Sequence, residues 1–129
     1  MARKIASIVF LLTGIVIGLG AFGHGSHATQ LADALVKSPA IDAGLAAVVI
    51  AVWYFVSGSM LVFAATVVWT WMRARRGDRS AFFASDAIGV FYILSGIASV
   101  FYTGKPFFWV FVVLGGLLLV SSLPLRRTP

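Results

Sequence analysis

Four apolar blocks, at residues 5–23, 43–72, 81–102 and 107–123, take up most of the chain and leave short polar connections between them. A run of about 18 or more apolar residues has the length to cross the hydrocarbon core of a bilayer as a helix. Three blocks reach that length, and the fourth, of 17 residues, ends in polar flanks. Only 11% of the residues are charged, against about 25% in soluble domains. The chain lacks the polar cover that a soluble surface requires. The expected fold is an all-α integral membrane protein of one domain, a four-transmembrane-helix bundle with helices near 5–23, 39–72, 81–102 and 106–123 and an outer loop at 24–38.

The placement of charge orients such a bundle. The net charge is +6, and Arg3, Lys4, Arg73, Arg75, Arg76, Arg79, Arg126 and Arg127 all fall at the chain ends or in the middle connection. Only Lys37 and Lys105 lie in the alternate connections. Basic residues accumulate on the cytoplasmic side of a membrane, so both termini and the segment 73–80 are expected inside, in a multi-pass inner-membrane protein. The same arginines can touch anionic lipid head groups. The short "RARRGDR" run does not suit nucleic acid, having no base-stacking aromatics beyond the interfacial tryptophans. The basic start "MARK" and the small residues Ala21 and Gly23 also fit a cleaved signal, with His24 as the new terminus. The first block is longer than the usual 7–15 residues of a signal core, which favours a retained helix.

Helix ends can be read from local chemistry. Ser38-Pro39 offers an N-cap hydroxyl and a proline at the first helical position. From there to Met72 a helix would run about 50 Å, beyond the roughly 30 Å hydrocarbon core. Trp53 and Tyr54 against Trp69 and Trp71 are spaced as two interfacial belts, so residues 39–52 are expected to project or to pack under the outer loop. The third helix starts after Ser80, or after Ser85 with Asp86 in its first turn. The fourth starts at Pro106 and stops at Pro124.

The segments "WYFVSGSMLVF" (53–63) and "FYILSGIASVF" (91–101) match at five of eleven positions, including Tyr54/Tyr92, Ser57/Ser95 and Gly58/Gly96. In antiparallel helices Gly58 and Gly96 would meet near mid-membrane. Helical spacing then collects small residues into faces: Ala47, Ala51, Tyr54, Gly58, Leu61 and Ala65 on the second helix, and Ser85, Gly89, Tyr92, Gly96 and Ser99 on the third. The first helix offers Gly14, Gly18, Ala21 and Gly25. Such faces permit the close approach that drives helix association in lipid. Membrane serines bond back to their own helix carbonyls. Tyr92 lies too deep for a belt, and a buried phenol seeks a partner: Thr13, Ser57 or Ser59, or a bound molecule.

Three further features carry chemistry. Asp86 is the one carboxylate inside a block; it is either a helix N-terminal partner or a proton or cation site, neutralised by Arg79 or another arginine of that loop. His24 and His27 form an HxxH that Asp33 or Asp42 could complete as a metal site. The glycines around the pair favour a solvated loop. The chain contains no cysteine and no third histidine, which removes thiolate chemistry and a bis-histidine haem on facing helices. There is no phosphate-binding loop, HExxH, Ser-His-Asp set or dinucleotide fingerprint, so neither an enzyme nor a cofactor is expected.

In size and helix count alone the chain resembles DoxX-type and similar small bacterial inner-membrane proteins. The expected function is non-enzymatic: holding a lipophilic small molecule beside Tyr92, or supporting a membrane partner. A minimal dimeric proton- or ion-coupled transporter or channel using Asp86 is the alternative. The first helix lacks the carboxylate of small multidrug transporters and the signature of dual-topology fluoride channels. A metal-handling outer loop comes third.

Overall fold

A computed structural model describes Met1–Arg126; Arg127, one of the orienting arginines, lies outside the described residues. The described chain forms helices α1 (Ala2–Ser26), α2 (Ala28–Val36), α3 (Ala43–Arg75), α4 (Phe82–Thr103) and α5 (Trp109–Arg126), with a 3-10 turn at Pro106–Phe108 before α5. Four helical stretches are long and apolar enough to cross a membrane: Ala2–Val36, Ala43–Arg75, Phe82–Thr103 and Pro106–Arg126.

The segment expected as an outer loop is helical instead. α1 continues to Ser26, and His27 keeps right-handed helical angles as it passes into α2. The glycines at 23 and 25 do not break the helix, and a Cβ on Gly25 would lie 3.6 Å from the Ser57 hydroxyl of α3. α2 ends at Val36 with Lys37 as its C-cap, so residues 38–42 must reverse the chain at once. Ser38 and Pro39 are spent in that turn, where the Ile41 amide donates to the Ser38 carbonyl (3.3 Å). The cap is Asp42, whose Oδ1 accepts from the Leu45 amide at 2.9 Å. A carboxylate there also complements the helix dipole.

α3 ends in a Schellman motif around Gly77, which has φ +89°. The Gly77 amide donates to the Ala74 carbonyl (3.1 Å) and the Asp78 amide to the Arg73 carbonyl (3.1 Å). α4 starts at neither expected serine. The Ser80 hydroxyl donates to Asp78 at 2.7 Å, and Ser85, fully buried, donates to the Phe82 carbonyl at 3.0 Å from inside the helix. α5 does not stop at Pro124. A proline so near the end removes only the bond to Val120, and the final turn is held by Arg126.

The helices pack in the spatial order α3, α1, α5, α4. α1 and α3 form an antiparallel hairpin, with the Trp71 indole donating to Ser7 at one end (2.9 Å) and the Trp53 indole to the His24 carbonyl further along (2.7 Å). α2 extends this hairpin along the first turns of α3. α4 and α5 form a second hairpin in very close contact. A Cβ on Gly115 would fall on the Gly89 carbonyl oxygen and within 3.0 Å of the Ile93 amide. The core joins the hairpins through Phe10, Ile17, Val67, Phe82, Ile88 and Leu118, with Phe10 edge-on to Phe82 at 5.6 Å.

Gly58 and Gly96 do not meet. Gly58 is exposed with open space beside its Cα, whereas a Cβ on Gly96 would lie 2.8 Å from Val112 of α5. The α3 face proposed from Ala47, Ala51, Tyr54, Gly58, Leu61 and Ala65 is exposed throughout; Ala46, Ser57, Ala64, Val67 and Thr70 are buried instead. On α4 the expected face is buried at Ser85, Gly89, Tyr92 and Gly96, but it packs on α5. The α1 face packs on α3 as its small residues allow: a Cβ on Gly14 would come within 2.7 Å of Val67.

Candidate functional site

Because α3 pairs with α1 and α4 with α5, little holds α3 against α4. They join at one end, where Thr70 Oγ1 donates to the Ala81 carbonyl (3.2 Å). Further along, an apolar groove of about 530 Å³ opens between them, lined by Ser59, Met60 and Phe63 of α3, Tyr92 and Ser95 of α4, and Phe111 of α5 among others. Tyr92 stands at its base. The ring is edge-on to Phe63 (6.2 Å), Phe91 (6.3 Å) and Phe111 (5.7 Å).

The residue is only 4% exposed, and its hydroxyl is buried with no hydrogen-bond partner among the described residues. The hydroxyls expected to serve it are engaged elsewhere. Thr13 donates to Val9 (2.8 Å), Ser57 to Trp53 (3.1 Å) and Ser59 to Phe55 (2.9 Å), each to a carbonyl four residues earlier. A buried unsatisfied polar group costs about 1–3 kcal/mol. Of the expected cluster, Tyr92 and Ser95 border the groove, Ser57 turns to α1, Gly96 packs on α5, and Tyr54 and Gly58 face outward.

Ser57 belongs to a second constellation. His24 Nδ1 lies 2.9 Å from Ser57 Oγ, and its ring stacks on Trp53 at 4.0 Å between centroids. The Ser57 hydroxyl also reaches the Trp53 carbonyl at 3.1 Å, so the His24–Ser57 bond can form with Nδ1 as donor or as acceptor. His27 Nδ1 lies 2.8 Å from the Gly23 carbonyl, which can only accept. The neutral His27 ring thus keeps Nε2 as its free nitrogen. Both histidines border a second apolar cavity, about 460 Å³, between α1, α3 and α5. Met60 and Phe111 line both this cavity and the groove. His24 is therefore helical and partly buried, whereas His27, at the junction of α1 and α2, is exposed. Asp33 does not join them: among the described residues, no three of His, Cys, Asp and Glu come together as a metal site. The sequence signal for this constellation was the position of His24 on the small-residue side of α1, beside Gly25.

Asp86 pairs with Arg126 of α5, not with Arg79 or its neighbours. Ser122 donates to Asp86 Oδ1 at 3.3 Å, and the Arg126 guanidinium lies 5.2 Å over the Phe82 ring. Arg73 is taken by Asp78 at 2.5 Å. The Ser80 hydroxyl, then Arg73, hold the Asp78 carboxyl below the usual carboxylate range. Comparison with known protein families, curated proteins and solved structures finds no match to this chain.

Proposed function

We propose that this is a non-enzymatic, multi-pass inner-membrane protein, with both termini cytoplasmic, that holds a lipophilic molecule in the groove between α3 and α4. The observation that carries the reading is the Tyr92 hydroxyl, buried without an acceptor at the base of an apolar groove. A ligand with an apolar body and a hydrogen-bond acceptor would satisfy it. Access requires one wall side chain to move. Met60, unbranched and only partly buried, is suited to that, and its movement would also join the groove to the cavity beside His24.

Asp86 supports a structural role better than proton or ion transport, because its charge is matched by Arg126 and its position fastens α4 to α5. The test is extraction of the purified protein and mass spectrometry of what it retains. Wild-type protein is expected to carry one lipophile in near-stoichiometric amount. Tyr92→Phe should retain much less, as should Ser95→Trp, which fills the groove. Equal retention by wild type and both variants would refute the reading.

A further inference from the structure

The end of the molecule that carries the chain terminus has a different cavity, about 410 Å³, lined among others by Arg3, Lys4 and Ser7 of α1, Trp71 and Arg75 of α3, and Leu125 of α5. We propose that it binds the phosphate headgroup of an anionic phospholipid. The proposal rests on the membrane topology given above but is independent of the Tyr92 groove.

Three cations converge on this cavity and, among the described residues, no carboxylate matches them. The chain has four acidic residues, all aspartates. Asp78 is taken by Arg73 and Asp86 by Arg126, while Asp33 and Asp42 lie in α2 and the turn before α3, at the opposite end. Among the described residues, Arg3, Lys4 and Arg75 enter no ion pair. Like charges gathered around a concavity repel one another unless an anion is shared among them.

The start of α1 sharpens the point. Its first turn holds Arg3 and Lys4 and no acidic residue, the reverse of what a helix dipole favours. That arrangement disfavours an isolated helix and suits an anion placed at its N-terminus, where the first amides lack intrahelical acceptors. Arg75 is also held in place. Its guanidinium lies 4.8 Å from the centre of the Trp71 ring, and Trp71 is fixed by its hydrogen bond to Ser7. The charge is pre-positioned on an indole, the side chain that prefers the headgroup level of a bilayer. Ala74 and Leu125 supply apolar wall beside the cations, which matches a phosphate attached to acyl chains better than a free ion. Basic pockets between membrane helices at the cytoplasmic face bind such head groups.

Full-length protein in detergent tests this by native mass spectrometry and thermal unfolding, with added phosphatidylglycerol, phosphatidylcholine or inorganic phosphate. Wild type is expected to retain phosphatidylglycerol with roughly tenfold or greater preference over phosphatidylcholine, and to unfold at higher temperature with it. Arg3→Ala/Lys4→Ala/Arg75→Ala should lose the preference. Arg76→Ala/Arg79→Ala, which removes two charges at the same end but outside the cavity, should keep it. Equal loss in the Arg76/Arg79 variant would mean general surface charge and overturn the site. The same stabilisation by phosphate alone would assign a soluble anion and overturn the lipid. Membrane fractionation is read separately: an inserted wild type with no preference defeats this site and leaves the topology standing.

Discussion

At the scale of single residues, glycine positions differ sharply in what they tolerate. A Cβ at Gly115 would collide with backbone of α4, and one at Gly96 would meet Val112 and Phe111. Neither neighbour is a flexible side-chain end, so overpacking should cost about 1–3 kcal/mol. Gly115→Ala and Gly96→Ala are expected to lower the unfolding temperature in detergent. Gly58→Ala should be neutral or slightly stabilising, since nothing lies within 4 Å of its Cβ position and alanine is the better helix former. Tyr92→Phe removes a hydroxyl without a partner. Ligand-free protein should lose no stability by that change and gain up to about 1 kcal/mol. A loss of more than that would mean the phenol has an acceptor.

Between elements, the two hairpins are fastened differently. The α1–α3 hairpin uses neutral bonds, from Trp71 to Ser7 and from Trp53 to His24. Trp53→Phe keeps most of the stacking surface and removes the donor, and should cost about 1 kcal/mol in chemical unfolding. The α4–α5 hairpin adds the ion pair of Asp86 with Arg126. Both partners are partly exposed, so Asp86→Asn should cost about 1 kcal/mol or less. Proton-coupled flux that disappears in this variant, with the fold intact, would restore the transporter reading. The α3–α4 turn carries an acid-sensitive contact. Asp78 titrates below its ordinary value, chiefly through Ser80 and then Arg73. Its contribution is present above the unfolded-state value and fades as pH falls through the lowered folded-state value. Ser80→Ala should therefore raise the titration midpoint of Asp78, measured by carboxyl carbon NMR.

For the whole molecule, the prediction is orientation. The chain contains no cysteine, so single cysteines report cleanly. In intact cells a membrane-impermeant thiol reagent should label Thr103→Cys and leave Ser80→Cys unlabelled until the cells are opened. The reverse pattern would invert the topology.

Much of this architecture was legible in the chain itself. Block length and low charge bring out four apolar helices, because an apolar run of this length makes a long helix whatever its neighbours. The small residues of α1 also marked a packing face, which meets α3. Tyr92 stood out by its depth alone. What no local pattern could decide was partner choice among the helices. The repeat around Gly58 and Gly96 suggested that α3 and α4 meet there, yet Gly96 turns to α5 and Gly58 to open space, since every apolar face is equally acceptable to lipid and only close backbone fit selects one. The expected histidine loop folds into the end of α1 and into α2, and the cap falls at Asp42 rather than Ser38. Length and composition thus determined that the chain forms four long apolar helices. Tertiary packing decided that α3 pairs with α1 and α4 with α5, and the looser seam between α3 and α4 leaves the groove at Tyr92.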